Sequence, residues 1–340
     1  LSKDPVRPYV KRTEGLIRPP EVSMISLFGG MLGVLPVSMQ KKIMASSTEK
    51  NPYMGFVVEP YALFLAHEIT DIEQAQRLIP AEYKVVPARL FADEAPKPLV
   101  IFGGFSVHTS AFWGNRLEMY IIAEHVPTGL LSWLIVDYDS NTLSFDPGQG
   151  FAGANTAKAV ITTSHRGEVL LDFESAINGR RVAVAASVRD GVETPLDQPL
   201  WIEGNLSIGY GGEMSDEPGA PPFGLLFDPG EMERALRIPL DHVQIDAMDW
   251  HAGLYDPTPL TCACFPYAQH FITSQVPTSS AVSTREQLDA FVREFNQGPA
   301  PQGFSSSAIK KSMFVGWLCS TTLTFSLLGW VIFDWLSNHG

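Results

Sequence analysis

Leu99-Val-Ile-Phe-Gly103, Met119-Tyr-Ile-Ile-Ala123 and Leu131-Ser-Trp-Leu-Ile-Val136 are short apolar runs punctuated by Gly, Pro, Asn and Asp, and Val182-Ala-Val-Ala-Ala-Ser-Val188 is a fourth. Runs of this length, rich in β-branched and aromatic residues and bounded by turn-formers, read as strands. They set the character of residues 51–277. Helical candidates in that region are few: residues 72–78, stopped by Pro80, and 230–236, stopped by Pro239. The expected fold is therefore mainly β, a barrel or sandwich with a few short helices.

Working outward, Ser283 and Glu286 fit a capping box that opens an amphipathic helix to Phe295, ended by Asn296-Gln297-Gly298-Pro299. A Gly/Pro/Ser-rich linker follows. Beyond it, residues 313–333 contain no charged residue over 21 positions. At about 1.5 Å per residue such a helix spans roughly 30 Å, one hydrocarbon core. Trp317, Trp330 and Trp335 stand near its ends, where indoles favour the interface. A single C-terminal transmembrane helix is the expectation, and its Ser/Thr cluster (Ser320, Thr321, Thr322, Thr324, Ser326) suits contact with a neighbouring helix. Lys310 and Lys311 precede the span and only Asp334 and His339 follow it, which puts the large domain on the cytoplasmic or matrix side of a mitochondrial or bacterial inner membrane. The organisation expected is a basic extended arm over 1–50, a β-rich domain over 51–280, an amphipathic helix over 283–296, a linker over 298–312 and the anchor over 313–336.

The chain has 340 residues, 45% of them hydrophobic and 18% charged, which is enough for a large core and excludes disorder as its main state. A net charge of -13 excludes a general nucleic-acid binder. Residues 1–50 depart from that balance, with eight Lys/Arg against four acids, so a +4 arm is joined to a -17 body. Lys3, Arg7, Lys11, Arg12 and Arg18 are interspersed with Pro5, Pro8, Pro19 and Pro20. The prolines point to an extended path, ordered by anionic lipids, by acidic faces of neighbouring subunits or by the chain's own body. Within the arm, the apolar stretch 25–39 is too short and too broken by Gly and Pro for a crossing. It reads as an interfacial or re-entrant segment before Lys41 and Lys42, or as a loop buried against the main domain. The chain begins at Leu1, as if a targeting segment had been removed. Three cysteines, Cys262, Cys264 and Cys319, give neither a disulfide framework nor zinc spacing and favour a reducing compartment.

Several spans together resemble acetoacetate decarboxylase-like domains over roughly residues 55–275. Arg77-Leu-Ile-Pro-Ala-Glu-Tyr-Lys84 resembles an edge near the start of that domain, and Asn115-Arg-Leu-Glu118 with Trp133-Leu-Ile-Val-Asp137-Tyr-Asp139-Ser-Asn141 resembles its glutamate-bearing strand and the aromatic-aspartate strand that follows. Gly148-Gln-Gly150 and the stretch ending at Lys158 occupy the place of its Gly-Arg-Glu and lysine signatures. The resemblance implies a catalytic lysine forming a Schiff base with a keto acid, with Lys158 in that place, Glu118 as acid/base partner and no cofactor. In this chemistry an adjacent cation keeps the reactive amine neutral. Here Lys158 has Ala157 and Ala159 as neighbours and the Arg-Glu pair is missing, so an ordinary ion-paired lysine is the expectation, with Glu118 bridged to Arg116.

Other constellations point to structure before chemistry. His67, Glu68 and Asp71 lack a second histidine at ligand spacing. Asp246, Asp249, His251 and Asp256 fit a rigid loop better than a metal or acid/base site. Ser164-His165 lacks a nucleophile elbow, Gly148-x-Gly150-x-x-Gly153 follows Asp-Pro and not a strand entering a helix, and Cys262-Ala-Cys264 fits buried strand packing. Two functions compete. One is a membrane-anchored, non-catalytic accessory or scaffold subunit of a multisubunit complex, respiratory or otherwise energy-converting, held to other subunits by its span and basic arm. The other is a membrane-tethered lyase acting on a small keto acid or lipid-derived carbonyl compound. An apolar ligand in the barrel is open under either.

Overall fold

A computed structural model describes residues 6–48, 53–109, 112–146, 148–214, 222–274, 282–299 and 307–339. The chain forms two units, residues 1–304 and 305–340.

The first unit is built on the strand Lys97–Thr109. One edge pairs antiparallel with Trp113–His125. The other edge pairs first with Ala62–Glu68, opposite residues 99–104, and then with Tyr53–Val58, opposite 107–109. Two branches of one 13-stranded sheet diverge from that shared edge. The first runs through Thr261–Phe265 and Arg234–Arg237, and the second through Gln269–Ser274. A separate four-stranded sheet contains Thr156–Thr163, Glu168–Ser175, Arg181–Ser187 and Val243–Met248. The fold is mainly β, as the apolar runs imply.

The runs are continuous, not alternating, because both faces of the large sheet are buried. Ile101, Tyr120, Trp133 and Phe265 share one core with Trp201, Phe227 and Phe271. Val100, Phe102, Met119, Leu134 and Cys264 pack on the opposite side with Leu171, Phe173 and Val184 of the four-stranded sheet. The outer sheet is buried on one side, and Glu168–Ser175 alternates accordingly.

Residues 6–48 are helical, which corrects the expected extended arm. Helices α1 (Val6–Glu14), α2 (Pro19–Leu32) and α3 (Val37–Thr48) each carry a proline at or near their start: Pro8 lies in the first turn of α1, Pro19 and Pro20 open α2, and Pro36 precedes α3. The first turn has no intrahelical use for its N–H groups, so proline there starts a helix without breaking one. Stretch 25–39 is thus the end of α2, a turn and the start of α3.

Helix α1 braces its own chain. Tyr9, fully buried, donates its hydroxyl to the Leu226 carbonyl at 2.9 Å, and its ring meets Phe295 at 5.4 Å. Arg12 donates to the carbonyls of Gly298 (3.0 Å) and Pro299 (2.5 Å) and lies over the Phe295 ring. His270 donates through Nδ1 to Glu231 (2.9 Å) and faces Glu14 of α1 across 3.8 Å. Burial opposes its imidazolium, but these carboxylates raise its pKa above the ordinary value.

Helix α4 (Ile72–Arg77) forms where expected, with Asp71 accepting from the Gln74 N–H at 2.8 Å. The helix expected over 230–236 is instead a 3-10 turn, Pro229–Met232, capped by Asp228, followed by the strand Arg234–Arg237 that the neighbouring Cys264 strand recruits. Helix α5 (Arg285–Gln297) carries its capping box on Thr284 and Gln287, one residue beyond the expected pair.

The second unit is helix α6 (Ser307–His339), 33 residues long, so it takes in 307–312 of the expected linker. Leu323, Phe325, Trp330 and Phe333 are exposed on it, and the Thr322 and Thr324 hydroxyls bond back to the carbonyls of Leu318 and Ser320 at 2.8 and 2.9 Å. The side chains of Lys310, Lys311, Trp317 and Cys319 lie outside the described residues. Among the described residues no helix is long and apolar enough to cross a membrane.

The α1 brace meets the sheet at Gly55, where a Cβ would stand 2.9 Å from the Thr13 carbonyl and 3.0 Å from Leu16 Cβ. Gly55→Val is expected to destabilise the fold by about 1–3 kcal/mol through this overlap and to speed proteolytic cleavage between α1 and α2. Denaturant titration and timed proteolysis check both; an unchanged midpoint would contradict the brace.

Candidate functional site

Alternation along Trp113–His125 puts Arg116, Glu118 and Tyr120 on one face. Glu118 stands opposite Gly103 on one neighbouring strand and Tyr138 on the other. Gly103 is required there, since a Cβ would lie 2.8 Å from the Phe64 ring and 3.1 Å from that of Tyr120. One carboxylate oxygen of buried Glu118 accepts from Arg116 Nε and the other from the Tyr120 hydroxyl. Arg116 also donates to Ser144 Oγ at 2.8 Å, and its guanidinium lies 4.2 Å above the Tyr138 ring. Burial works against the Arg116 cation, but Glu118 beside it holds its pKa above the ordinary value. Burial first, and then the Glu118 charge, push the Tyr120 phenol well up. Half-buried Phe105, Tyr138, Tyr210 and Phe223 pack against this core. The arrangement is a neutral, internally bonded pair under aromatic cover.

Lys158 lies on the other sheet. Its ammonium donates to Asp172, which also takes two 3.0 Å bonds from Arg181. The Lys158 side chain is 45% exposed. The Arg181 hydrogen bonds, followed by those of Lys158, lower the Asp172 pKa. The structure therefore places Lys158 and Glu118 on different sheets, each with a partner of its own.

The remaining sequence candidates are dispersed. His67 is buried among Phe102 and Tyr255, its Nδ1 2.8 Å from the Asp256 carbonyl, and burial lowers its pKa. Glu68 pairs with Lys97 at 2.5 Å. Asp246 accepts from Gln244, Asp249 from the Arg181 backbone and Asp256 from the Thr258 N–H. Ser164 donates to Glu168 in a turn. Gly150, at φ +83°, serves the hairpin Ser144–Asp146/Gly150–Ala152. Cys262 and Cys264 are buried, and burial pushes both thiols up, that of Cys264 to about 12. Among the described residues no cluster of His, Cys, Asp and Glu could hold a metal ion.

One constellation was not assembled from the sequence. Arg180, in the turn between two outer strands, donates to both oxygens of Asp137 (2.5 and 2.8 Å) and to Asp139 (3.1 Å), and lies 4.0 Å over the Trp250 ring. His251 Nε2 meets Asp137 at 2.9 Å from a left-handed backbone, φ +49°. The available signal was Asp137-x-Asp139: two carboxylates on one face of a buried strand end require a cation. The cluster joins the two sheets. Burial raises the Asp139 carboxyl to about 6 despite Arg180, with Asp137 adding to the rise. Asp137 is shifted the other way: burial raises it, but His251 and Arg180 prevail and lower it.

With this geometry in hand, no family model matches the chain, and no curated protein matches it. The crystal structure of acetoacetate decarboxylase from Legionella pneumophila subsp. pneumophila is similar over 66% of this chain and 84% of that one, with a TM-score of 0.38 and 10% sequence identity. The chain has a weak acetoacetate decarboxylase-like fold resemblance.

Asp139 gives a signed pH dependence. Its folded pKa exceeds the unfolded one, so its contribution to stability is fully present below the unfolded value near 4 and is lost as pH rises through about 6. Asp139→Asn keeps an acceptor for Arg180 and removes the second charge. It is expected to match the parent at pH 4 and to be more stable at pH 7 by about 1–2 kcal/mol, after allowance for solvent screening. Unfolding midpoints across that range check this; equal stability at pH 7 would refute it.

Proposed function

We propose that this chain is a membrane-anchored, non-catalytic accessory or scaffold subunit, a β-domain tethered by α6 to a multisubunit membrane complex. The observation that carries the reading is the Lys158 environment. A Schiff-base lysine needs a neighbouring cation or deep burial to free its amine. Lys158 instead is half exposed and bonded to the Asp172 carboxylate. Glu118, the other expected participant, is occupied by Arg116 and Tyr120.

The anchor rests on the uncharged run 313–333 and on the exposed apolar side chains of α6. Its threonine hydroxyls are satisfied within the helix, as a hydrocarbon environment demands. Arg12 is committed to the chain's own α5 terminus, so it acts as a brace, and attachment to partner subunits falls to α6.

Removing residues 313–340 should release the β-domain from carbonate-washed membranes, and mild-detergent purification of the full chain should yield partner proteins in fixed stoichiometry. Borohydride treatment with a small keto acid should leave the intact mass unchanged. A trapped adduct on Lys158, abolished by Lys158→Ala, would overturn the non-catalytic reading. A full chain that washes off with carbonate would overturn the anchor.

A further inference from the structure

Turns between helices ordinarily carry polar residues that water can solvate. The turn from α2 to α3 reads Leu32-Gly-Val-Leu-Pro36, and Val34 is 84% exposed. Leu27 on α2 and Met39 on α3 are also exposed. This apolar tip is held in place. On the docked side, Val22 is buried and Gly29 lies against Leu143 so closely that a Cβ would overlap its side chain. Gln40, 1% exposed, donates to the Leu35 carbonyl at 2.8 Å and accepts from the Phe151 N–H at 2.7 Å, which ties the turn to the hairpin carrying Gly150.

Charge singles out one occupant. In a chain of net charge -13, residues 22–48 contain no Asp or Glu, and Lys42, exposed, stands three residues after Met39. Exposed apolar side chains near an exposed lysine, on a segment with no acidic residue of its own, match the interface of an anionic bilayer, where apolar groups enter the acyl boundary and an ammonium group remains at the phosphates. We propose that the α2–α3 hairpin is a second membrane-contact element, its tip seated in the interface of a bilayer containing anionic lipid. This goes beyond the α6 anchor, on which it rests only for the proximity of a membrane.

The test uses the full chain with Val34→Cys in a Cys319→Ser background, labelled with an environment-sensitive fluorophore; Cys262 and Cys264 are buried. With vesicles of phosphatidylcholine and phosphatidylglycerol, the emission should shift to the blue and be quenched by acyl-chain nitroxides. Leu27→Glu should abolish the shift, and Lys42→Ala should lower the inserted fraction about five-fold. A probe that stays water-like, or that shifts equally without lipid through self-association or a protein partner, overturns the proposal. Carbonate extraction of the same samples separates the two readings. A retained chain with a water-like probe overturns the hairpin and leaves the anchor, whereas a released chain whose probe shifts with lipid at neutral pH supports the hairpin and overturns the anchor.

Discussion

Burial of both faces of the strand Lys97–Thr109 is the constraint from which the rest of the first unit follows. Such a strand has no face to give to water, so each side must be supplied with a covering layer. On one side the cover is the Trp201 and Phe227 core, closed by α1 and α5 through Tyr9 and Phe295. On the other it is the four-stranded sheet. Polar groups inside these layers must then find partners inside them, which is why Arg116 is bound to Glu118 and Arg180 to Asp137 and Asp139.

The same constraint decides what the two charged clusters do. Glu118 and Arg116 neutralise each other beneath aromatic rings, a satisfied arrangement with no carboxylate oxygen lacking a bond. The Arg180 cluster has two carboxylates for one guanidinium, and burial raises Asp139 toward the neutral form. It trades stability near neutral pH for a fixed registration of one sheet on the other. Lys158, outside both layers, has the solvent and the Asp172 carboxylate that suit an ordinary surface cation.

The strands were legible because double burial writes them as continuous apolar runs, and α4 because Asp71 and Pro80 bracket it. The N-terminal helices were misread because proline is both a helix breaker and a helix starter, and only its place in the turn separates the two. The segment 230–236 failed for another reason: pairing with Cys264, far away in sequence, outweighs local helical preference. Arg116–Glu118 could be read from i, i+2 spacing on a strand. His251–Asp137 could not, since 114 residues separate them and only the stacking of the two sheets brings them together.

Amide hydrogen exchange on the full chain tests the central claim, a β-domain whose central strand is covered on both faces, most directly. The account predicts the slowest exchange for the interior strands 97–109 and 113–125 and faster exchange for the outer strand 156–163, which has one neighbour and an exposed face. Exchange across 97–109 as rapid as across 156–163 would contradict it.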